Sequence, residues 1–169
     1  MLFLILEIIA DYHVSSAEQK DKIRRLLLEQ YAGFHANQKL VGMEVFHIFD
    51  RQGNSLLRLH QFQKHSDPIY KLRYSLRARQ DFTYQTGLEI GILKESFRYQ
   101  FPLFYDGEFV RSYEYGIGFK ALARETKQLY GGDYLFLLKK HAIQIAVNQE
   151  VVAIRYAEFP LNEKYHVKI

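Results

Sequence analysis

The most concentrated set of chemically active side chains in this sequence is basic and lies between residues 58 and 79. Polar and apolar residues alternate through the last part of this segment, from residue 70 to residue 79. Successive side chains of a β-strand point to opposite faces, so a strand here would present its cations together. The residues on the cationic face are Lys71, Arg73, Arg77 and Arg79, and the opposite face carries Tyr70 and Tyr74.

Such a cationic stripe predicts the binding of phosphate groups. Anionic lipid headgroups and nucleic acid backbones both carry them, and Tyr70 and Tyr74 would stack on bases in the second case. Another interpretation stays open, in which the stripe is a solvated outer strand. Its lysine and arginine side chains would then discourage edge-to-edge aggregation.

Other chemistry has weaker support in the sequence. His60 and His65 are the closest pair of histidines, and no third ligand lies at metal-binding spacing around them. The carboxylates Glu89, Glu95 and Asp106 are not paired by their spacing, and no phosphate-binding glycine loop or nucleophile elbow occurs. The sequence therefore predicts no catalytic residues, no metal and no cofactor, and it favours a binding module over an enzyme.

The composition is that of a globular protein. Of its 169 residues, 48% are hydrophobic and 25% are charged, which fits one domain over residues 1–169. The absence of cysteine excludes disulfides and fits a reducing compartment, so a cytoplasmic location is expected. The apolar run at residues 1–10 contains Glu7 and is too short to span a bilayer, and we interpret it as a buried first strand.

The elements that would position the basic stripe are mainly strands, since the chain holds 13 Phe and 13 Tyr. One helix is predicted at about residues 16–32, begun by a capping box from Ser15 to Glu18 and ended at Gly33. Hairpins are predicted near residues 52, 107 and 149, the second at the turn-forming pair Asp106-Gly107. Residues 119–129 fit a short helix or an extended crossover, and residues 134–139 and 165–169 fit strands. The predicted fold class is α+β, mainly antiparallel β, as a hairpin-built barrel or strongly curved sheet.

Four segments resemble the tubby-like family, in particular its bacterial branch related to the plant LURP-one proteins. They are residues 48–56, 88–94, 101–110 and 143–154, each a strand followed or preceded by a short polar turn, and the resemblance covers roughly residues 44–169. It implies a closed β-barrel around a hydrophobic helix and the binding of membrane lipid or protein. The family usually finishes with that helix, so here the predicted helix at 16–32 would have to fill the barrel.

The functional hypothesis that follows is a non-enzymatic binding module. It would contact anionic lipid headgroups or another phosphate-bearing ligand through the basic strand. The alternative is a nucleic-acid-associated accessory protein that uses the same stripe, and a third possibility is an enzyme acting inside a barrel cavity.

Overall fold

The computed structural model of the chain describes residues 11–71, 83–91 and 95–168. Its helices are α1 (Ala17–Leu40), α2 (Phe119–Tyr130), α3 (Lys140–Ala146) and α4 (Gln149–Arg155), with 3-10 turns at Asp11–Val14 and Ile69–Lys71. Its strands are β1 (Met43–Phe49), β2 (Ser55–Arg58), β3 (Gln85–Ile90), β4 (Glu95–Tyr105), β5 (Glu108–Gly118), β6 (Leu137–Lys139), β7 (Tyr156–Glu158) and β8 (Tyr165–Lys168). The predicted first strand at residues 1–10 lies outside the described residues.

The strands form two antiparallel sheets. The larger has the order β2-β1-β5-β4-β3, and the smaller has the order β6-β8-β7. Both have free edge strands, so no barrel closes among the strands that the structure describes, and the predicted barrel is wrong. The α+β class with an N-terminal helix followed by antiparallel strands is confirmed.

The chain groups into two compact units. The first comprises Met1–Gly87 and Arg98–Gly116, and the second comprises Leu88–Phe97 and Ile117–Ile169. The expectation of one domain over residues 1–169 stays a prediction. In the ranges described, no helix is long and apolar enough to cross a membrane.

Helix α1 begins one residue later than the sequence predicts. Ser16, not Ser15, is the N-cap, and its hydroxyl accepts from the Gln19 backbone N at 3.2 Å while Gln19 Oε1 accepts from the Ser16 backbone N at 2.8 Å. Gln serves in a capping box as well as Glu does, so the same motif is available in two registers. The helix also runs through Gly33 to Leu40, because an internal glycine costs only about 1 kcal/mol and does not by itself end a helix.

The core of the first unit lies between α1 and one face of its strands. Tyr12, Leu27, Phe46, Ile48, Leu56 and Leu57 are buried there. Ile23 and Tyr31 of α1 pack against this cluster together with Tyr113 and Tyr115 of β5. The helix therefore covers an open sheet face and does not thread a barrel.

The first two predicted hairpins are present. In the β1–β2 turn, Gly53 has φ of 88° and the carboxylate of Asp50 accepts from Asn54 N at 2.8 Å. In the β4–β5 turn, Asp106 has φ of 49° and Gly107 has φ of 76°, as a two-residue primed turn requires. Local turn chemistry specifies both.

The third predicted hairpin is wrong, because residues 140–155 form helices α3 and α4. Asn148 caps α4, its side chain accepting from Val151 N at 2.9 Å, so the residue read as a turn begins a helix. Ile143 of α3 is fully buried in the second unit's core with Phe119, Leu138 and Tyr156. A short apolar run fits a strand or a buried helix equally well by periodicity alone. Residues 119–130, left open by the sequence, are helical, and the predicted strand at 134–139 is reduced to Leu137–Lys139.

Candidate functional site

The basic stripe is described only at its beginning. Lys71 is exposed and ends the 3-10 turn that also contains Tyr70, so the backbone there is not the extended strand that the alternation requires. Arg73, Tyr74, Arg77 and Arg79 lie outside the described residues. Their assignment as an anion-binding set stays a prediction.

A different set of residues forms the candidate site, on the larger sheet within the first unit. The strands there have two unlike faces, because side chains alternate. Phe46 of β1 lies on the face that α1 covers, with ring centroids 5.7 Å from Tyr31 and 6.2 Å from Tyr113. Tyr113 in turn stacks on Phe101 of β4 at 5.0 Å, which places the aromatic residues of three strands on this helix face.

The opposite face, which we call the polar face, carries the intervening residues of the same strands. Most of these side chains are polar, and the polar ones are buried: His47, Ser55, Arg58, Arg98, Gln100, Ser112 and Glu114. Val45 and Phe49 of β1 are buried apolar members of the same face, with the Phe49 ring centroid 3.9 Å from that of His47. Polar groups are costly to bury unless they are hydrogen-bonded. A sheet face that buries so many polar side chains is therefore unusual.

An ion pair lies on the polar face. Arg98 Nη1 of β4 donates to Glu114 Oε1 of β5 at 2.7 Å, and the Glu114 side chain is fully buried. Beside them, Gln100 Nε2 donates to Ser112 Oγ at 3.2 Å. The Oε1 atom of Gln100 has no hydrogen-bond partner among the described residues. Both signs of charge and neutral donors and acceptors thus lie together on two adjacent strands.

Two histidines lie at the β1 end of this face. His47 Nε2 is 2.8 Å from Ser55 Oγ, and the His47 and His60 ring centroids are 6.3 Å apart. His60 Nδ1 donates to the Phe46 carbonyl at 3.2 Å. Burial and, to a smaller extent, the charges of Arg98 and Arg58 lower the pKa of His60 to about 4, against the opposing effect of that hydrogen bond. His60 is therefore neutral near pH 7.

Arg58 fixes the loop that leads away from β2. Its two terminal nitrogens donate to the two carboxylate oxygens of Asp67, each at 2.7 Å. Burial raises the pKa of Asp67, but the hydrogen bonds and charge of Arg58 more than offset this, so the pKa is lowered. Such a bidentate pair holds residues 58–67 as a closed loop beside the polar face.

The second unit holds a buried polar cluster of another kind. Glu95 is 3% exposed, and its Oε1 accepts from Arg155 and from the Tyr156 hydroxyl. Lys168 Nζ lies 3.5 Å from the other carboxylate oxygen. Arg155 also donates to the Gly91 carbonyl at 3.2 Å. Each carboxylate oxygen of Glu95 therefore faces a cation, Arg155 on one side and Lys168 on the other. The cluster joins β4, α4 and β8 within the second unit.

The sequence prediction missed the polar face, although a signal for it was present. Polar residues alternate with aromatic ones in Arg98-Tyr99-Gln100-Phe101 and again in Ser112-Tyr113-Glu114-Tyr115. Alternation is also what a half-exposed strand shows, so the pattern alone does not indicate that these polar residues are buried. Over the parts of the chain that the structure describes, no group of three potential metal ligands is close enough to hold an ion.

Comparisons with known proteins gave results for structure only. No protein-family model matches the chain, and no curated protein matches it. Similar solved structures include the sensor domain of the V. cholerae histidine kinase DctB, with 12% identity, a TM-score of 0.48, and coverage of 81% of this chain and 50% of that one. The extracellular domain of the putative histidine kinase vpHK1S-Z8 has 13% identity, a TM-score of 0.48, and coverage of 82% and 58%.

A further similar structure is the sensory domain of the Campylobacter jejuni chemoreceptor Tlp3 with isoleucine bound, with 10% identity, a TM-score of 0.47, and coverage of 97% of this chain and 74% of that one. This chain spans half to three fifths of the DctB and vpHK1S-Z8 domains. At these values the similarity identifies no ligand for this chain.

These findings correct several predictions. The tubby-like resemblance is wrong: the described sheets are open, and the similar structures are sensor domains. The strand–turn–strand phrases that carried it occur in any hairpin, and the phrase at 143–154 is helical. The predicted lipid, phosphate-ligand and nucleic-acid partners are contradicted by the same neighbours, as is the cytoplasmic location, since one neighbour is an extracellular domain.

Proposed function

We propose that the first unit binds a small polar molecule on the polar face, and that this molecule carries both a negative and a positive group. One observation carries the proposal: the ion pair of Arg98 and Glu114, 2.7 Å apart, is buried among neutral hydrogen-bonding side chains. The arrangement offers a cation for a carboxylate and an anion for an ammonium group.

Stability alone is a weak reason for such a face. A buried ion pair is often no more stabilising than apolar residues of the same volume, because both charges lose their hydration. The same two strands already place Tyr99, Phe101, Tyr113 and Tyr115 on the helix face, where aromatic packing supplies the stabilisation. The polar face therefore has the composition of a binding surface.

The neighbouring groups would orient the bound molecule in the site. Gln100 presents an amide oxygen that no described residue uses, and Ser112 presents a hydroxyl. His60, held neutral by burial, adds an aromatic ring without adding charge. A zwitterion could exchange the internal ion pair for two charge-assisted hydrogen bonds of its own.

Calorimetric titration of the full chain tests the proposal with isoleucine and two analogues that each lack one charge, 2-methylbutylamine and 3-methylpentanoic acid. We expect saturable binding of the zwitterion and at least about tenfold weaker binding of each analogue, since each loses one charge-assisted contact. Norvaline and asparagine extend the panel to other side chains.

The decisive variant is the double substitution Arg98→Met and Glu114→Leu, which removes both charges without leaving either unpaired. We expect it to fold and to lose zwitterion binding. The matched control is Arg124→Met with Glu125→Leu, the same exchange at an exposed ion pair of the second unit. Failure of every zwitterion to bind, or undiminished binding by the Arg98/Glu114 variant, would refute the proposal.

A further inference from the structure

Arg111 of β5 is the largest fully buried side chain among those described, with 1% of its surface exposed. It lies on the helix face, where its guanidinium carbon is 5.2 Å from the centre of the Tyr12 ring. Its Nε and Nη1 atoms have no hydrogen-bond partner among the described residues. A guanidinium cannot lose its proton to escape this cost, so a buried one is expected to have an acceptor.

Other cations surround the same phenol. Arg24 Nη1 donates to the Tyr12 hydroxyl at 3.3 Å, and the Lys20 ammonium lies 5.5 Å from the ring centre. Arg24 is also buried, and its Nε likewise has no partner in the described ranges. Among the described residues, the side chains that bond to the Tyr12 hydroxyl or lie over its ring are thus all cationic.

The nearby carboxylates are already engaged. Asp21 pairs with Arg24 at 2.6 Å and with Arg25 at 2.8 Å. Asp50 favours the charged form of Arg111, yet its two oxygens accept from the backbone and side chain of Asn54 at 2.8 and 2.9 Å. Burial lowers the pKa of Arg111 to about 10, and the charge effects of Asp50 and Tyr12 offset this only in part.

We propose that Arg111, with Arg24 and the ring of Tyr12, forms a binding site for a small carboxylate on the helix face, distinct from the polar face and independent of its function. The N–H groups of Arg111 and Arg24 that lack partners supply charge-assisted donors, and Tyr12 supplies an aromatic wall. A single negative charge matches this small donor set. A phosphate brings more charge and more oxygens than these N–H groups can satisfy.

Thermal unfolding of the full chain in acetate and in chloride, at equal ionic strength, tests this site. We expect a saturable rise in Tm of about 3 to 6 °C at ten times the dissociation constant, because a ligand that binds only the folded state stabilises it by mass action. Phosphate at the same ionic strength should give a smaller rise. A larger rise in phosphate would overturn the carboxylate assignment.

Three variants locate the effect. Arg111→Met should have the same Tm in both salts, whereas Arg124→Met, at an exposed arginine of the second unit, should respond as the wild type does. The Arg98→Met, Glu114→Leu variant should also respond fully, which separates this site from the polar face. An unchanged wild-type Tm, or a full response of Arg111→Met, would overturn the proposal.

A measurement on the wild type covers the case in which Arg111→Met does not fold. The arginine Nε–Hε signals in a nitrogen-correlated NMR spectrum report each guanidinium, and the signal absent from Arg111→Lys identifies Arg111. That signal should move saturably with acetate. A signal that stays fixed would contradict the assignment.

Discussion

The two faces of the sheet in the first unit are built from the same strands but differ in their side chains, which are mainly aromatic on one face and mainly polar on the other. On the helix face, Phe46, Phe101 and Tyr113 stack with centroid separations of 5.0 to 6.2 Å. On the polar face, Arg98, Glu114 and Gln100 bury charge and amide groups, and each has 5% or less of its surface exposed, whereas Phe101 and Tyr113 are only partly buried. Apolar burial contributes most of the stability of a domain, so the helix face holds the unit together, whereas the polar face is the one on which we propose binding.

The largest expected effect tests the helix face. Phe46→Ala should lower the free energy of unfolding by about 4 kcal/mol, because Phe46 packs against Tyr31, Phe34 and Tyr113 and the truncation leaves a cavity. Guanidinium unfolding followed by circular dichroism measures it. A loss below about 1 kcal/mol would mean that this aromatic layer is not the stabilising one.

The next effect tests the polar face. Arg98→Met alone should cost about 3 kcal/mol, since it leaves Glu114 charged and buried without Arg98. Adding Glu114→Leu should restore stability to within about 1 kcal/mol of the wild type. The same unfolding measurement on both single variants and the double variant gives the coupling energy. A double variant as unstable as the single one would show that the pair is needed for folding.

An acid-dependent effect tests the burial of His60 at the β1 end of the polar face. Its folded pKa, about 4, lies below the unfolded value of 6.5, so the unfolded state binds the proton more readily. Stability is therefore complete above pH 6.5 and is lost progressively as the pH falls towards 4, by about 2 kcal/mol after allowance for partial exposure.

Unfolding curves between pH 7.5 and 4 for wild type and His60→Gln measure this contribution as a difference. The glutamine variant should lose that part of the pH dependence, while His141→Gln, at an exposed position of α3, should keep it. Parallel curves for wild type and His60→Gln would show that His60 protonates equally in both states.

The smallest expected effect concerns the helix that covers the helix face. Ser16→Ala removes the acceptor for Gln19 N and should cost about 1 kcal/mol, without changing zwitterion binding at the polar face. Ser15→Ala is the matched control, since a box beginning at Ser15 would give it a similar cost. Chemical unfolding decides between the registers, because a larger loss for Ser15→Ala would favour the box beginning at Ser15.

Much of the local structure could be predicted from the sequence. The capping motif, the Asp106-Gly107 turn and the alternating segments located α1 and the hairpins near residues 52 and 107, because each depends on neighbours in the chain. The site could not be predicted in the same way. Its members come from β1, β2, β4 and β5, and whether an alternating polar residue faces water or the protein interior depends on what covers the sheet.

By itself, then, the sequence determined the early helix, the turns and the mainly antiparallel strands, since backbone preferences over a few residues decide them. Only the tertiary structure decided that residues 140–155 are helices, that the larger sheet stays open, and that Arg98, Glu114 and Arg111 are buried. The physical reason is the same in each case. A short apolar run takes the conformation that buries it, and a charged side chain is enclosed only when distant segments pack around it.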